Sequence, residues 1–252
     1  MPTTTQDIDL SELSAGRGGS QGLRGYLARP SQDAHGPGPW PGVVVVHEAF
    51  GLDEQAKGQT ERLAAAGFLT LAVDLFSAGG VRRCLVSTIR ALNRGEGRAF
   101  TDIGTGREWL GRSPDQAGGI GVIGFCLGGG FALLTAAGYG FDAASVNYGF
   151  PPKDLDARIA GACPVVASYG GRDRPLRGAA ATLETALTGA GIVHDVKEYP
   201  DAGHSFLNSA PNGPRVLRPL LRVAGIGPDP AAADDAWRRI ETFFHAHLEG
   251  GS

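Results

Sequence analysis

A chain of 252 residues fits one large α/β domain or two small ones, and 42% hydrophobic with 19% charged residues is ordinary for a globular protein with a sizeable core. A net charge of −3 offers no basic field for nucleic acid, and three scattered cysteines (Cys84, Cys126, Cys163) exclude a disulfide framework or a C-x-x-C metal site. No apolar run reaches the length of a membrane span.

The segment Met1 to Leu13 is polar and acidic, without the basic and apolar regions of a secretory signal. The cytoplasm is therefore the expected setting, and its reducing conditions suit a working thiol. Residues 1–20 are expected as a loose lead-in with at most one strand, and Leu23 to Ala28 as the second strand of a hairpin. Residues 31–41 read as a loop, dense in proline and glycine. Gly42 to Glu48 contains four consecutive valines and reads as a strand buried on both faces, as in a parallel sheet. It runs out into His47, Glu48, Ala49, Phe50 and Gly51, at the edge where α/β sheets place their sites. Asp53 to Ala66 reads as a helix capped by Asp53, and Phe68 to Val73 as a strand ending at Asp74. Residues 76–98 hold Gly79-Gly80 and then a basic stretch with Arg82, Arg83, Arg90, Arg94 and Arg98. Ala99 to Gly111 is a predicted helix.

Next comes Gly121-Val122-Ile123-Gly124-Phe125-Cys126-Leu127-Gly128-Gly129-Gly130, an apolar strand ending in a cysteine framed by glycines. With a helix expected over Phe131 to Ala137, this is the G-x-nucleophile-x-G elbow with cysteine in place of the usual serine. β-Carbons at Gly124 and Gly128 would crowd the neighbouring strand and helix. The helix N-terminus beneath the turn favours a thiolate. A lone cysteine in apolar sequence is more often a small buried hydrophobe, but the glycine frame argues otherwise. Gly119 to Gly124 also matches G-x-G-x-x-G. That fingerprint needs its glycines after the strand, whereas here the strand runs through them, so dinucleotide binding is not expected.

Further strands are predicted over Asp142 to Tyr148, Pro164 to Tyr169 and Val193 to Tyr199, with helices over Arg177 to Ala190 and Ala231 to Leu248. Residues 208–230, rich in Pro and Gly, are a candidate cover over the site. Alternating strands and helices predict a mostly parallel sheet covered on both faces, in a single α/β domain over 1–252 without internal repeat. A thiol needs a base, and the base an orienting acid. Asp173 follows the Tyr169 strand and His204 the Tyr199 strand. The order Cys126, Asp173, His204 is that of α/β-hydrolases. Of the other histidines, His35 lies in a loop, His194 begins a strand at the wrong end, and His245 and His247 do not share a helix face. His47 reads as structural, packed under the site.

Four segments together resemble the dienelactone hydrolase family: His47-Glu48-Ala49-Phe50-Gly51, Gly124-Phe125-Cys126-Leu127-Gly128-Gly129, Gly170-Gly171-Arg172-Asp173 and Ala202-Gly203-His204-Ser205-Phe206. The likeness spans roughly residues 20–248. It implies the α/β-hydrolase fold, a Cys126-His204-Asp173 triad without metal or organic cofactor, and hydrolysis of an enol-lactone. It also implies that Glu48 lies beside the resting thiol and takes its proton when substrate binds, and that the backbone amides of Ala49 and Leu127 form the oxyanion hole. A carboxylate beside the thiol would resist thiolate formation, which is compatible with such a guard. The rival is that Glu48 only pairs with an arginine. The family holds a substrate carboxylate with two arginines. One position, four residues past the histidine, is Asn208 here. The other, after the Asp74 strand, is matched by Arg82 or Arg83. With Phe50 these are the candidate substrate-binding residues.

A thioester forms readily from an ester or lactone, whereas a tetrahedral adduct with a plain amide tends to expel the thiolate again. The expected substrate is therefore a small lactone or ester, the expected protein a monomer or small homo-oligomer. Two rivals are a non-catalytic small-molecule binding or sensing relative, suggested by Asn208, and a thiol redox sensor with Cys84 or Cys163 as resolving partner.

Overall fold

The computed structural model describes residues 3–211 and 225–250. In chain order its strands are β1 (Thr4–Asp9), β2 (Arg24–Arg29), β3 (Trp40–Val46), β4 (Leu69–Val73), β5 (Gln116–Phe125), β6 (Ala143–Asn147), β7 (Val165–Gly170) and β8 (His194–Tyr199). The helices are α1 (Ser11–Ala15), α2 (Gln32–His35), α3 (Glu54–Ala65), α4 (Val81–Arg94), α5 (Arg98–Gly111), α6 (Leu127–Thr135), α7 (Leu155–Arg158), α8 (Ala179–Gly189) and the C-terminal α9 (Pro230–Leu248). The strands form one eight-stranded sheet in the order β1-β2-β4-β3-β5-β6-β7-β8. β2 is antiparallel to both β1 and β4, and every other pairing is parallel.

This is the α/β-hydrolase architecture, and the sheet explains the valine run. Val43 to Val46 are wholly buried because helices cover both faces. From β3 the chain goes to β4 on one side and to β5 on the other, which opens a crevice above the carboxyl ends of β3 and β5. The registers keep these ends level. Val46 pairs with Gly124, Phe125 with Asn147, Asn147 with Ser168, and Gly170 with Tyr199. Loops leaving these five strands therefore start from one edge.

Several expectations are corrected. The lead-in is not loose: β1 closes one edge of the sheet, and the buried hydroxyls of Ser14 and Ser20 bind the buried Asp102 carboxylate on α5 at 3.2 Å and 2.6 Å. The arginine-rich stretch contains α4, whose Cys84 and Thr88 are buried and whose Val81, Leu85 and Leu92 pack on the core. This is helical spacing that the charges obscure. α4 stops at Gly95, in the left-handed conformation at φ 72°. The loop over 31–41 carries the short α2 and the first two residues of β3. The elbow helix starts at Leu127 rather than Phe131, because Gly128 and Gly129 are helical despite their poor propensity. A β-carbon on Gly128 would strike the Val46 and His47 carbonyls, and one on Gly129 the Asn147 carbonyl and Gly149, so close packing decides the conformation. Gly119 to Gly124 lie within β5 with no phosphate loop, as the strand reading requires. Of the candidate cover, 212–224 lies outside the described residues. Among the described residues no helix is long and apolar enough to cross a membrane.

Candidate active site

Cys126 is the residue between β5 and α6, at φ 54°, a left-handed value that a non-glycine residue holds only when its surroundings enforce it. Its N–H donates to the Asn147 carbonyl at 3.0 Å, and its own carbonyl accepts from Gly130 N–H at 3.2 Å. The glycine frame permits the turn, since a β-carbon on Gly124 would collide with the Gly128 carbonyl. The partly exposed thiol thus stands at the start of α6, at the positive end of the helix dipole.

Asp173 and His204 meet as their positions past β7 and β8 suggest. The Asp173 N–H caps back to the Gly170 carbonyl at 3.1 Å, and its buried carboxylate lies 2.5 Å from His204 Nδ1. The His204 backbone is gripped by its own N–H to the Gly225 carbonyl at 3.0 Å and by Gly227 N–H to its carbonyl at 2.9 Å. Burial works against a charged imidazole here. Hydrogen bonding to Asp173 and the adjoining Cys126 side chain outweigh it, and His204 is pushed up to about 10. An imidazolium beside a thiol is what a thiolate nucleophile requires.

Glu48, on the β3 loop, is buried in the same crevice. Its Oε1 accepts from Ser205 Oγ at 3.0 Å and from Asn208 Nδ2 at 3.3 Å. Burial raises its pKa against the opposing pull of His204 and these two donors. Asn208 is itself buried and accepts from Gln59 Nε2 of α3 at 2.8 Å. Its amide therefore joins Gln59 to Glu48, a different task from the substrate contact expected of it. Arg82 and Arg83 lie exposed in the first turn of α4, and Arg83 packs over Gly79. Neither side chain forms an ion pair or hydrogen bond among the described residues. Phe50, two residues past Glu48, is 40% exposed.

The amides of Ala49 and Leu127 make no hydrogen bond among the described residues, which leaves both available to an oxyanion. The start of α6 sits against the Val46 and His47 carbonyls, so the β3 loop and the elbow are adjacent. Sequence reasoning missed Ser205, Gln59 and Tyr148. Among the described residues, Ser205 (φ 60°) and Tyr148 (φ 41°) join Cys126 as the non-glycine residues with positive φ, a clustering of strain that marks the site. Tyr148 is fully buried with its ring 5.0 Å from that of His204. Burial, then the charges of Glu48 and Cys126, hold its phenol well above the usual range. Cys163 precedes β7 at the opposite edge of the sheet, where burial and Asp142 push it up to about 12. Cys84 donates to the Phe76 carbonyl at 3.7 Å.

Comparison with known proteins gives the family and the fold. The sequence model of the dienelactone hydrolase family matches residues 23–248. A carboxymethylenebutenolidase from Rhodococcus opacus is 29% identical over 227 residues, covering 83% of this chain and 82% of its own. Among solved structures, a dienelactone hydrolase-like promiscuous phosphotriesterase, P91, from metagenomic libraries superposes with a TM-score of 0.75. It is 24% identical and covers 98% of this chain and all of its own. The dienelactone hydrolase from Anabaena variabilis gives a TM-score of 0.71 at 20% identity over 98% of this chain and all of its own.

Proposed function

The chain belongs to the dienelactone hydrolase family and is a lactone or ester hydrolase; from that premise we propose that Cys126 is its nucleophile and that the reaction passes through a thioester. The observation that carries the reading is the convergence of a partly exposed thiol, an imidazole and a buried carboxylate at one sheet edge, with Asp173 fixed 2.5 Å from His204 Nδ1.

In this reading Cys126 passes its thiol proton to Glu48 as substrate binds, and the thiolate sulfur attacks the substrate carbonyl carbon. The Ala49 and Leu127 amides hold the oxyanion. The C–O bond breaks, and the leaving oxygen takes a proton from the His204 imidazolium. Neutral His204, oriented by Asp173, then draws a proton from water, whose oxygen attacks the thioester. The acid product leaves, and the released thiolate takes back the proton held on Glu48, restoring the resting thiol. Glu48 acts on the resting thiol as a guard, since a negative charge at that position opposes thiolate formation. The lone thiol chemistry fits a reducing compartment, the cytoplasm.

Substrate preference is open to direct measurement. Wild type and Cys126→Ser are assayed against cis- and trans-dienelactone, a neutral lactone, and p-nitrophenyl acetate and butyrate. The expected result is hydrolysis by wild type and its loss in the variant. Full activity in Cys126→Ala would sink the proposal. Absence of turnover with every compound would favour a binding protein that uses the same pocket.

A further inference from the structure

We infer that His47 is a positioning residue that aims one arm of the oxyanion hole. The inference rests on the reading of Cys126 as nucleophile and Ala49 N–H as an oxyanion donor.

His47 is fully buried at the end of β3, its ring 4.8 Å from that of Phe76. Its hydrogen bonds determine its tautomer. Leu75 N–H, which can only donate, points to Nε2 at 3.1 Å. Nε2 accepts from that N–H, with the Asp74 carboxylate a further 3.7 Å contact of the same nitrogen, and Nδ1 is the ring's donor on the other side. Nδ1 lies 2.7 Å from the Glu48 carbonyl and donates to it. That carbonyl also accepts from Gly51 N–H at 3.2 Å. Two donors thus fix the plane of the peptide joining Glu48 to Ala49.

In a trans peptide the carbonyl and the following N–H point in opposite directions. Holding the Glu48 carbonyl toward His47 turns the Ala49 N–H the other way, and that N–H has no partner among the described residues. The start of α6 packs against the same segment, its Gly128 lying against the His47 carbonyl. One residue therefore connects β4, through Leu75, to the donor and to the elbow. Such preorganisation matters because an oxyanion donor contributes fully only when it is already aimed.

The test separates oxyanion chemistry from simple thiol reactivity. His47→Phe keeps the ring and its packing but removes both nitrogens. His47→Gln offers an acceptor and a donor again. Three quantities are measured with near-UV circular dichroism as the folding control: kcat and KM for p-nitrophenyl acetate, inhibition by a trifluoromethyl ketone, and alkylation of Cys126 by iodoacetamide. The ester and the ketone develop an oxyanion, whereas alkylation does not. In His47→Phe, kcat and ketone affinity are expected to fall about 10- to 100-fold, with KM and alkylation changing less than about twofold. His47→Gln is expected to recover part of the loss. Unchanged kcat in a folded His47→Phe overturns the inference, as does an alkylation rate that falls in parallel. If wild-type Cys126 reacts with iodoacetamide but with neither ester nor ketone, the reading of the site fails and takes this inference with it.

Discussion

Asp173 Oδ2 lies 2.5 Å from His204 Nδ1, although the two residues are 31 positions apart and leave the sheet from different strands. The carboxylate fixes the imidazole through Nδ1, and in the proposed reaction this leaves Nε2 for Cys126 and substrate. Asp173→Asn offers an amide in place of the acceptor and favours the wrong tautomer. Its kcat for ester hydrolysis should fall by about three to four orders of magnitude with KM little changed.

The same pair sets a pH dependence. His204 is raised from 6.5 to about 10, so the folded state binds its proton more tightly than the unfolded chain does. Its contribution to stability is full below 6.5 and is lost as pH rises through about 10. Urea midpoints of wild type and His204→Gln, measured from pH 6 to 10, should converge toward the alkaline end.

Glu48 has the same sign for a different reason. Burial raises its pKa, so ionisation costs stability as pH rises above the ordinary carboxylate value. In Glu48→Gln, Oε1 can still accept from Ser205 and Asn208. The variant should gain stability over wild type at pH 8 relative to pH 5. Loss of the charge should also speed iodoacetamide alkylation of Cys126 at neutral pH.

Two glycines make a paired test of packing. Gly128→Ala drives a β-carbon into the Val46 and His47 carbonyls and should cost about 1–3 kcal/mol, with loss of esterase activity. Gly58→Ala lies inside α3, exposed, with nothing within 4 Å of the added carbon, and should stabilise by about 1 kcal/mol. Thermal or urea unfolding checks both.

Asp102 accepts from Ser20 N–H at 2.7 Å as well as from the hydroxyls of Ser14 and Ser20. Asp102→Ala leaves these donors buried without it and should cost about 2–3 kcal/mol. Tryptic cleavage at the exposed Arg17 should accelerate correspondingly.

What the sequence discloses about the site follows from strand ends. Cys126, Asp173, His204 and Glu48 are polar groups placed just past apolar runs, and a mostly parallel sheet brings such ends together whatever their separation in the chain. What it hides is each link made through backbone. His47 looks like an ordinary buried histidine because its partners, Leu75 N–H and the Glu48 carbonyl, have no side-chain signature. Gln59 sits unnoticed among the polar residues of α3, yet it is buried against Asn208. Asn208 invited comparison with a substrate-binding position, and the three-dimensional arrangement ties it to Glu48. α4 was obscured because its arginines drew attention away from the apolar residues spaced between them.

The two outermost strands bear on how copies of this chain can meet. β1 is polar and exposed along nearly its whole length and carries Asp7 and Asp9. β8 presents Asp195 and Lys197, which are clamped by Arg239 and Asp235 of α9. Strands bearing charge in this way are poor templates for adding another strand. Self-association that prolongs the sheet from one subunit into the next is therefore disfavoured at both ends, which turns any meeting of two copies toward the helices and loops.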